Sequence, residues 1–328
     1  MSTVLDEVLN APIANAALIF GTDSLAEFKR LQRALHPDNF APDAAQMEKA
    51  TKASLKLAEL FASLSKPKVA MPVYDGWAVS HSLVKGSCSD IFVVGNPKFK
   101  APAVLKVAIA KTDNELLAVE QKALAKLAEE ATGASTVFGQ YFPAIYASFK
   151  ISGKNANVLT YADGYISFTD ILRLVPHIDF KHAVWMVNRA LSILGYTHML
   201  GMTHGSILGD HLLFNCKTHD LMLVDWCYSV EIGKVATTIP AGTKTMYPVE
   251  VIKKLPVAAS TDIYMLMNLI KRSWKFIPSK FRPLIDWATA ESPHARPQDA
   301  WNFQTKWKEA AEEAYGPPKF AELVIPRN

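Results

Sequence analysis

The stretch from residue 203 to residue 227 constrains this chain more than any other. A polar loop that contains His204 and His211 leads into a short apolar run ending at Phe214. A polar turn follows, and a second apolar run ends at Asp225. Short apolar runs bounded by turn residues are typical of buried strands. We therefore expect two strands, with a His-bearing loop before the first and a carboxylate directly after the second.

The composition is that of a soluble globular protein. The chain has 328 residues, of which 50% are hydrophobic and 20% charged, and its formal net charge is +4. This length suggests about two domains, and so small a charge requires neither a nucleic acid nor a membrane as partner. The cysteines Cys88, Cys216 and Cys227 show no paired spacing. We expect reduced thiols and a cytoplasmic location, since no secretory signal or confident membrane span is visible.

Residues 1–68 predict a small all-α module. Apolar residues recur at helical spacing over residues 25–35, with basic residues on the opposite side. The helix should end before Pro37, because proline disfavours the helical conformation in the residue that precedes it. A polar loop follows, and a second helix is predicted over residues 45–64.

The two helices and their loop resemble a J-domain over roughly residues 18–68. The most specific elements are the loop tripeptide His36-Pro37-Asp38 and the ending Leu64-Ser65-Lys66-Pro67. In that family the tripeptide and the basic face of the preceding helix engage a 70-kilodalton heat-shock chaperone and stimulate its ATP hydrolysis. The resemblance implies such a chaperone as partner and assigns its binding to Lys29, Arg30, Arg33, His36, Pro37 and Asp38. Two alternatives stay open: the tripeptide is a simple turn, or the helices only brace the domain that follows.

A lysine inside an apolar strand is the next strong constraint. Residues 103–108 predict a strand whose one charged residue is Lys106. A buried ammonium group needs a carboxylate or a phosphate as partner. The helix predicted over residues 113–130 offers Glu115 and Glu120. Glu120, followed by Leu124 and Leu127, is similar to the C-helix of a protein kinase, and this resemblance implies an ion pair between Lys106 and Glu120. The alternative is a lysine on an edge strand that extends to water.

Taken together, residues 81–328 resemble a protein kinase. Residues 83–92 are similar to its glycine-rich loop, although Val84 and Ser89 replace two glycines and only Gly86 is kept. The resemblance implies an α+β, two-lobed fold with an antiparallel β-sheet N-lobe and a helical C-lobe, preceded by the J-like helical hairpin. The implied boundaries are a J-like module at 1–68, a linker at 69–80, an N-lobe and hinge at 81–163 and a C-lobe at 164–328.

The kinase resemblance also implies a site for ATP and Mg²⁺. It assigns nucleotide binding to Gly86, Lys106, Glu120 and Asp225, with Asp225 as the metal ligand. It further implies a structural ion pair between Glu250, at the end of the activation segment, and Arg296. His204-Gly205 is also similar to the small-molecule kinase branch of the fold, whereas the Pro-Val-Glu element that contains Glu250 favours the protein-kinase branch.

The catalytic loop departs from the kinase pattern at two functional positions. His204 is present, but Ser206 stands where the catalytic Asp is expected and His211 where a metal-binding Asn is expected. Loss of a general base costs about 10²–10⁴-fold in rate, and His is a poor substitute because Mg²⁺ prefers oxygen ligands. Asp210, beside His211, is an alternative metal ligand.

Two functions from different classes follow from these observations. In the first, the chain is a pseudokinase, a nucleotide-binding scaffold or adaptor that presents the J-like module to a chaperone. In the second, it is a divergent Ser/Thr protein kinase that keeps Lys106, Glu120 and Asp225 and uses a non-standard catalytic loop. The losses at positions 206 and 211 favour the first. Neither resemblance identifies a client or a substrate.

Overall fold

The computed structural model describes residues 2–11, 19–20, 24–65, 72–130 and 138–326. Contacts divide the chain into two units, Met1–Pro72 and Val73–Asn328. Lys66 and Pro67 of the J-like ending, and residues 69–71 of the predicted linker, lie outside the described residues.

In the first unit, the described helices are α1 (Ser2–Asn10), α2 (Ser24–Ala34) and α3 (Ala44–Ser65). A short 3-10 helix, Pro37–Phe40, lies between α2 and α3. Apolar side chains from all three helices form one core, which contains Leu5, Val8, Phe20, Leu31, Leu35, Ala50, Ala53, Leu57 and Leu60. The Ser54 hydroxyl donates to the Leu35 carbonyl oxygen at 3.0 Å, which ties the end of α2 to α3.

The second unit begins with a six-stranded antiparallel sheet in the order β1-β2-β3-β4-β6-β5. Its strands are β1 (Val73–Tyr74), β2 (Trp77–Lys85), β3 (Ser89–Gly95), β4 (Ala103–Ala108), β5 (Ile145–Ile151) and β6 (Lys154–Thr160). Helix α4 (Asn114–Glu130) packs against this sheet. Because Glu120 is on α4 and Lys106 is on β4, this packing allows the predicted ion pair between them.

Residues 73–80 belong to the sheet, whereas the sequence predicts a linker over residues 69–80. Trp77 and Val79 are buried on alternate positions of β2, and this period of two is what places apolar side chains on one face of a strand. Gly76 adopts a φ of 80° in the turn between β1 and β2. Gly76 therefore forms the turn of a hairpin within the stretch that was predicted to be a linker.

The remainder of the second unit is largely helical. Its helices are α5 (Phe168–Leu174), α6 (Phe180–Met199), α7 (Val249–Ile252), α8 (Ala259–Ser273), α9 (Arg282–Ala288) and α10 (Ala300–Tyr315). Helix α6 packs against α8 and α10, and most of its residues are buried. Short strands complete the lobe: β7 (Ile166–Ser167), β8 (Met202–Thr203), β9 (Leu212–Asn215), β10 (Asp220–Leu223) and β11 (Val230–Glu231).

The predicted α+β class, with a sheet lobe followed by a helical lobe and preceded by a helical region, is confirmed. Strands β9 and β10 form the expected antiparallel pair, in which Leu212 is opposite Leu223. The loop before β9 and the residues after β10 therefore lie at the same end of this strand pair. Among the described residues, no helix has both the length and the apolar character needed to cross a bilayer.

Candidate functional site

The loop between β8 and β9 is held by one buried carboxylate. Asp262, in the first turn of α8, accepts hydrogen bonds from the backbone N–H groups of His204 at 2.8 Å and Gly205 at 2.9 Å. Gly205 has a φ of 73°, and a Cβ atom there would collide with the Tyr228 carbonyl oxygen. A residue with a side chain is therefore excluded at this position by both conformation and space.

His204 is a structural residue of this loop. Its Nε2 donates to the Val224 carbonyl oxygen at 3.0 Å, and its Nδ1 accepts from the Ser206 N–H at 3.2 Å. This pattern requires the neutral tautomer with a proton on Nε2. Burial, the largest effect, lowers the pKa of His204 to about 4. The ring is therefore uncharged at neutral pH and links the loop to the end of β10.

Asp225 lies in a row of alternating charges. Lys106 Nζ is 2.7 Å from Glu120 Oε1 and 2.7 Å from Asp225 Oδ1. The other oxygen of Asp225, Oδ2, is 3.0 Å from Nε2 of His211. The order is Glu120, Lys106, Asp225 and His211, so that each charge in the row has an opposite charge next to it.

The two ring nitrogens of His211 both face oxygen acceptors. Nδ1 is 2.7 Å from the Ser206 carbonyl oxygen, while Nε2 faces the Asp225 carboxylate. Burial opposes the charged ring, but the Asp225 carboxylate outweighs it and raises the pKa of His211. Burial likewise opposes ionisation of Asp225, but Lys106 and then His211 hold its pKa well below the usual range. The geometry thus fits an imidazolium paired with a carboxylate.

Lys106 keeps its charge although it is buried. Desolvation is the largest effect and disfavours the ammonium, but the surrounding negative groups, Asp225 first, raise its pKa well above the usual value. Its third contact is the Cys227 sulfur, 3.3 Å away. The three donors of an ammonium are therefore matched by three contacts within the protein.

Asn157 is a member of this site that the sequence analysis missed. It is fully buried on β6, and its Nδ2 donates to Glu120 Oε2 at 3.0 Å and to the Leu117 carbonyl oxygen at 3.1 Å. Gln121 donates to its Oδ1 at 2.6 Å. Asn157 therefore holds the second oxygen of Glu120. The signal was present in the sequence as one amide residue inside the apolar run 156–159.

Ser206, at the position of the expected catalytic base, is buried and already bonded. The Tyr247 hydroxyl donates to Ser206 Oγ at 3.1 Å, and burial raises the pKa of Tyr247. Ser206 itself is fully buried. A hydroxyl in this setting has neither the charge nor the access to solvent that proton abstraction from a substrate requires.

Asp210 lies at the surface. Its residue is exposed, and its side chain forms no hydrogen bond or ion pair with any residue that the structure describes. His211, its neighbour in the same 3-10 turn, faces Asp225 instead. Of these two neighbours, His211 is therefore the one that contacts Asp225.

The turn between β2 and β3 closes tightly and covers the site. The Gly86 N–H donates to the Ser89 carbonyl oxygen at 2.9 Å, and a Cβ on Gly86 would lie 2.7 Å from that oxygen. Ser87 Oγ is 3.0 Å from the Tyr228 hydroxyl, and Cys88 is buried. Glycine is needed here for the close backbone approach of the turn. Its N–H is directed to Ser89 and is not free for a phosphate.

The thiol of Cys88, in this turn, lies close to the thiol of Cys227. The sulfurs of Cys88 and Cys227 and an oxygen of Asp225 all lie within 4.8 Å of one another. The hydrogen bond with Cys227, the largest effect, lowers the pKa of Cys88 to about 7, and the same bond raises the pKa of Cys227 well above the usual value. All three cysteines of the chain are free thiols in the structure.

A two-magnesium nucleotide site does not fit these residues. Magnesium ions in a kinase-like site are bound through the Asp at position 225 and the Asn that His211 replaces. Here both oxygens of Asp225 face cationic groups, Lys106 and His211. A cation would have to displace the imidazolium, and a phosphate would have to displace the internal partners of Lys106.

The predicted structural pair, Glu250 and Arg296, is also in place and buried. Arg296 Nη1 is 2.8 Å from Glu250 Oε1, and its other nitrogens donate to the carbonyl oxygens of Ala290 and Glu291. Thr261, on α8, donates to the same Glu250 oxygen at 2.9 Å. The pair thus joins α7, α8 and the segment before α10.

In the first unit, the residues assigned to chaperone binding are on the surface. Lys29, Arg30, Arg33, His36 and Asp38 are exposed and Pro37 is partly exposed. His36 Nδ1 accepts the Asp38 N–H at 3.4 Å and so caps the 3-10 turn. Arg30 pairs with Glu27 at 2.8 and 2.6 Å, whereas Lys29 and Arg33 form no side-chain ion pair among the described residues.

Comparison with known proteins supports the fold alone. No family model matches the sequence, and no curated protein matches it. The crystal structure of the Mycobacterium tuberculosis PknI kinase domain is similar, with a TM-score of 0.56 at 16% identity, covering 74% of this chain and 99% of that chain. A second crystal structure of this domain has a TM-score of 0.53 at 17% identity, covering 75% and 99%. The protein-kinase-like fold over most of the chain is thereby established.

Proposed function

We propose that this protein is a pseudokinase, a kinase-shaped scaffold that carries a J-like module and transfers no phosphate. The single observation that supports the proposal most is the His211–Asp225 ion pair. A kinase needs Asp225 free to bind a metal ion, and here a cationic side chain of the same catalytic loop engages it. The burial of Ser206 under Tyr247 supports the same conclusion independently.

A second candidate function, a divergent protein kinase, is favoured by one specific observation. The Lys106–Glu120 pair has the short, buried geometry that ATP-dependent kinases use to hold the α- and β-phosphates. For this function, His211 would have to leave Asp225 and the β2–β3 turn would have to open. The two functions therefore differ in whether Mg-ATP replaces the internal partners of Lys106 and Asp225.

The decisive experiment restores the missing groups. The melting temperature is measured with ATP and either Mg²⁺ or a chelator, for the natural protein and for the double variant Ser206→Asp, His211→Asn. We expect no magnesium-dependent shift in the natural protein. In the double variant we expect a positive shift, because Asn leaves one oxygen of Asp225 open to the metal. His294→Asn, at an exposed histidine, is the matched control and should behave as the natural protein does.

A radiolabelled ATP assay on the natural protein separates the two candidates. Phosphate incorporation that Lys106→Ala and Asp225→Ala both abolish would establish the kinase and overturn the pseudokinase proposal. The single variant His211→Asn is measured as well, in case the double variant does not fold. It changes only one side chain of the row formed by Glu120, Lys106, Asp225 and His211.

We further propose that the first unit binds a 70-kilodalton heat-shock chaperone through its exposed tripeptide and basic residues. The support is the exposure of His36 and Asp38 at the end of α2 and of Lys29 and Arg33 on α2 itself. The test is ATP hydrolysis by such a chaperone in the presence of the full chain. We expect stimulation by the natural protein and by His81→Gln, an exposed histidine of the second unit, but none by His36→Gln. Equal stimulation by all three proteins would contradict the proposal.

A further inference from the structure

We propose that Cys88 and Cys227 form a reversible disulfide when the protein meets hydrogen peroxide, and that this bond locks the β2–β3 turn onto the residues after β10. The inference concerns a covalent modification and does not depend on whether the protein transfers phosphate.

The first argument is proximity between distant parts of the chain. Cys88 lies in the turn between β2 and β3, and Cys227 follows β10, yet their sulfurs lie within 4.8 Å of each other. Both residues are buried, with 4% and 1% of their surface exposed. The fold thus already brings the two thiols close together, and bond formation requires their sulfurs to approach from this separation to about 2.0 Å.

The second argument is the charge beside the pair. Lys106 Nζ lies 3.3 Å from Cys227 Sγ. Lys106 keeps Glu120 and Asp225 as partners when Cys227 is oxidised. Formation of the disulfide therefore leaves no buried charge without a partner.

The third argument is access. Ser87, at the tip of the turn, is exposed, and the hairpin is a local element whose tip can open without global unfolding. Cys216, the remaining cysteine, is also buried, but it lies on the turn after β9 and is not part of the group formed by Cys88, Asp225 and Cys227. It thus provides an internal control for reactivity.

The reaction balances with peroxide as the oxidant. The Cys88 thiolate attacks one oxygen of hydrogen peroxide, the O–O bond breaks, and hydroxide leaves to give a sulfenic acid. The Cys227 sulfur then attacks the Cys88 sulfur, the S–O bond breaks, and the thiol proton leaves with the oxygen as water. The proton that Cys88 released on forming the thiolate neutralises the hydroxide. In total, two thiols are oxidised to one disulfide and one peroxide is reduced to two waters.

The bond would have a structural consequence for the site. It would join the turn that covers Lys106 and Asp225 to the segment 225–228, across the entrance through which a phosphate would come. The closed arrangement, now held by hydrogen bonds such as Ser87–Tyr228, would become covalent. Reduction would release the turn again.

The test counts thiols in the denatured full-length protein after treatment with stoichiometric peroxide. The chain has three cysteines, so we expect three reactive thiols before oxidation and one after it, with full recovery in dithiothreitol. Peptide mapping without reductant should identify a cross-link between the peptides that contain Cys88 and Cys227. In Cys216→Ala the count should fall from two to zero, while Cys88→Ser and Cys227→Ser should form no intramolecular cross-link.

Three results would overturn the proposal. One is a count that stays at three. Another is a cross-link that includes Cys216. The third is a loss of thiol reactivity at Cys88 and Cys227 that a chelator reverses and dithiothreitol does not. That result would identify a bound metal ion instead of a disulfide. The mapping is done on the natural protein, so that a variant that fails to fold does not affect the result.

Discussion

The second unit contains two buried charge clusters that differ in what their residues contact. In the bracing cluster, Glu250 and Arg296 join three segments of the helical lobe. In the site row, Glu120, Lys106, Asp225 and His211 occupy the positions at which a kinase would meet its ligands. Both clusters are internally paired. The Glu250–Arg296 and Lys106–Glu120 pairs are expected in an active kinase, whereas a pair between His211 and Asp225 is not.

The difference between the two clusters bears directly on the pseudokinase proposal. The bracing contacts act on the fold and need no ligand, so their residue types match the expectation for the fold. In the site row, one change, His211 in place of Asn, supplies a cation that neutralises Asp225 within the protein. Both oxygens of Asp225 therefore have a cationic partner within the protein, Lys106 for one and His211 for the other.

The largest expected effect concerns the bracing cluster. Arg296→Leu leaves Glu250 buried without its cation, and Glu250 Oε2 already lacks a hydrogen-bond partner among the described residues. Removing one partner of a buried pair costs about 3–5 kcal/mol, which we expect in the free energy of unfolding by urea. Arg173→Leu, which breaks an exposed pair with Asp170, should cost less than about 1 kcal/mol. Equal losses in the two variants would contradict the role given to Arg296.

The next effect concerns the glycine that lets the loop approach Tyr228. Gly205→Ala combines a positive φ with a collision, so we expect a loss of roughly 3 kcal/mol or more. Gly233→Ala is the matched control, because Gly233 has a φ of 86° but nothing near its missing Cβ. We expect Gly233→Ala to lower the free energy of unfolding by about 1 kcal/mol. The difference between the two variants in thermal unfolding then measures the cost of the collision with Tyr228.

A smaller and pH-dependent effect tests the site row. His211→Asn should cost about 1.5–3 kcal/mol, the range for a hydrogen bond to a charged group. Since the folded-state pKa of His211 is raised above 6.5, its contribution is fully present below about pH 6.5 and is lost as the pH rises through the folded-state value. The difference in stability from the natural protein should therefore shrink between pH 6 and pH 9. A difference that grows over this range would exclude an ion pair between His211 and Asp225.

The smallest effect tests the buried hydroxyl pair. Ser206→Ala removes the acceptor of the Tyr247 hydroxyl and should cost about 1 kcal/mol. Tyr247→Phe should cost a similar amount. In the double variant the losses should be less than additive, because the two residues share one hydrogen bond. Full additivity in urea unfolding would show that the bond contributes nothing.

The sequence by itself determined the features that depend on local patterns. The helices predicted over residues 45–64 and 113–130 are present as Ala44–Ser65 and Asn114–Glu130, while the α+β class followed from the resemblance to a protein kinase. A lone charge in an apolar strand indicated that Lys106 needs a carboxylate, and the structure places Glu120 Oε1 2.7 Å from its Nζ. Buried charge is costly enough that its partner can be sought from the sequence.

Tertiary structure alone decided which side chains of neighbouring residues face the site. Asp210 and His211 are adjacent in the 3-10 turn before β9, yet His211 faces Asp225 whereas Asp210 is exposed. The meeting of Cys88 with Cys227 and the support of Glu120 by Asn157 join residues far apart in the chain. Such contacts depend on how strands and turns pack in three dimensions, and neither periodicity nor spacing along the chain encodes that packing.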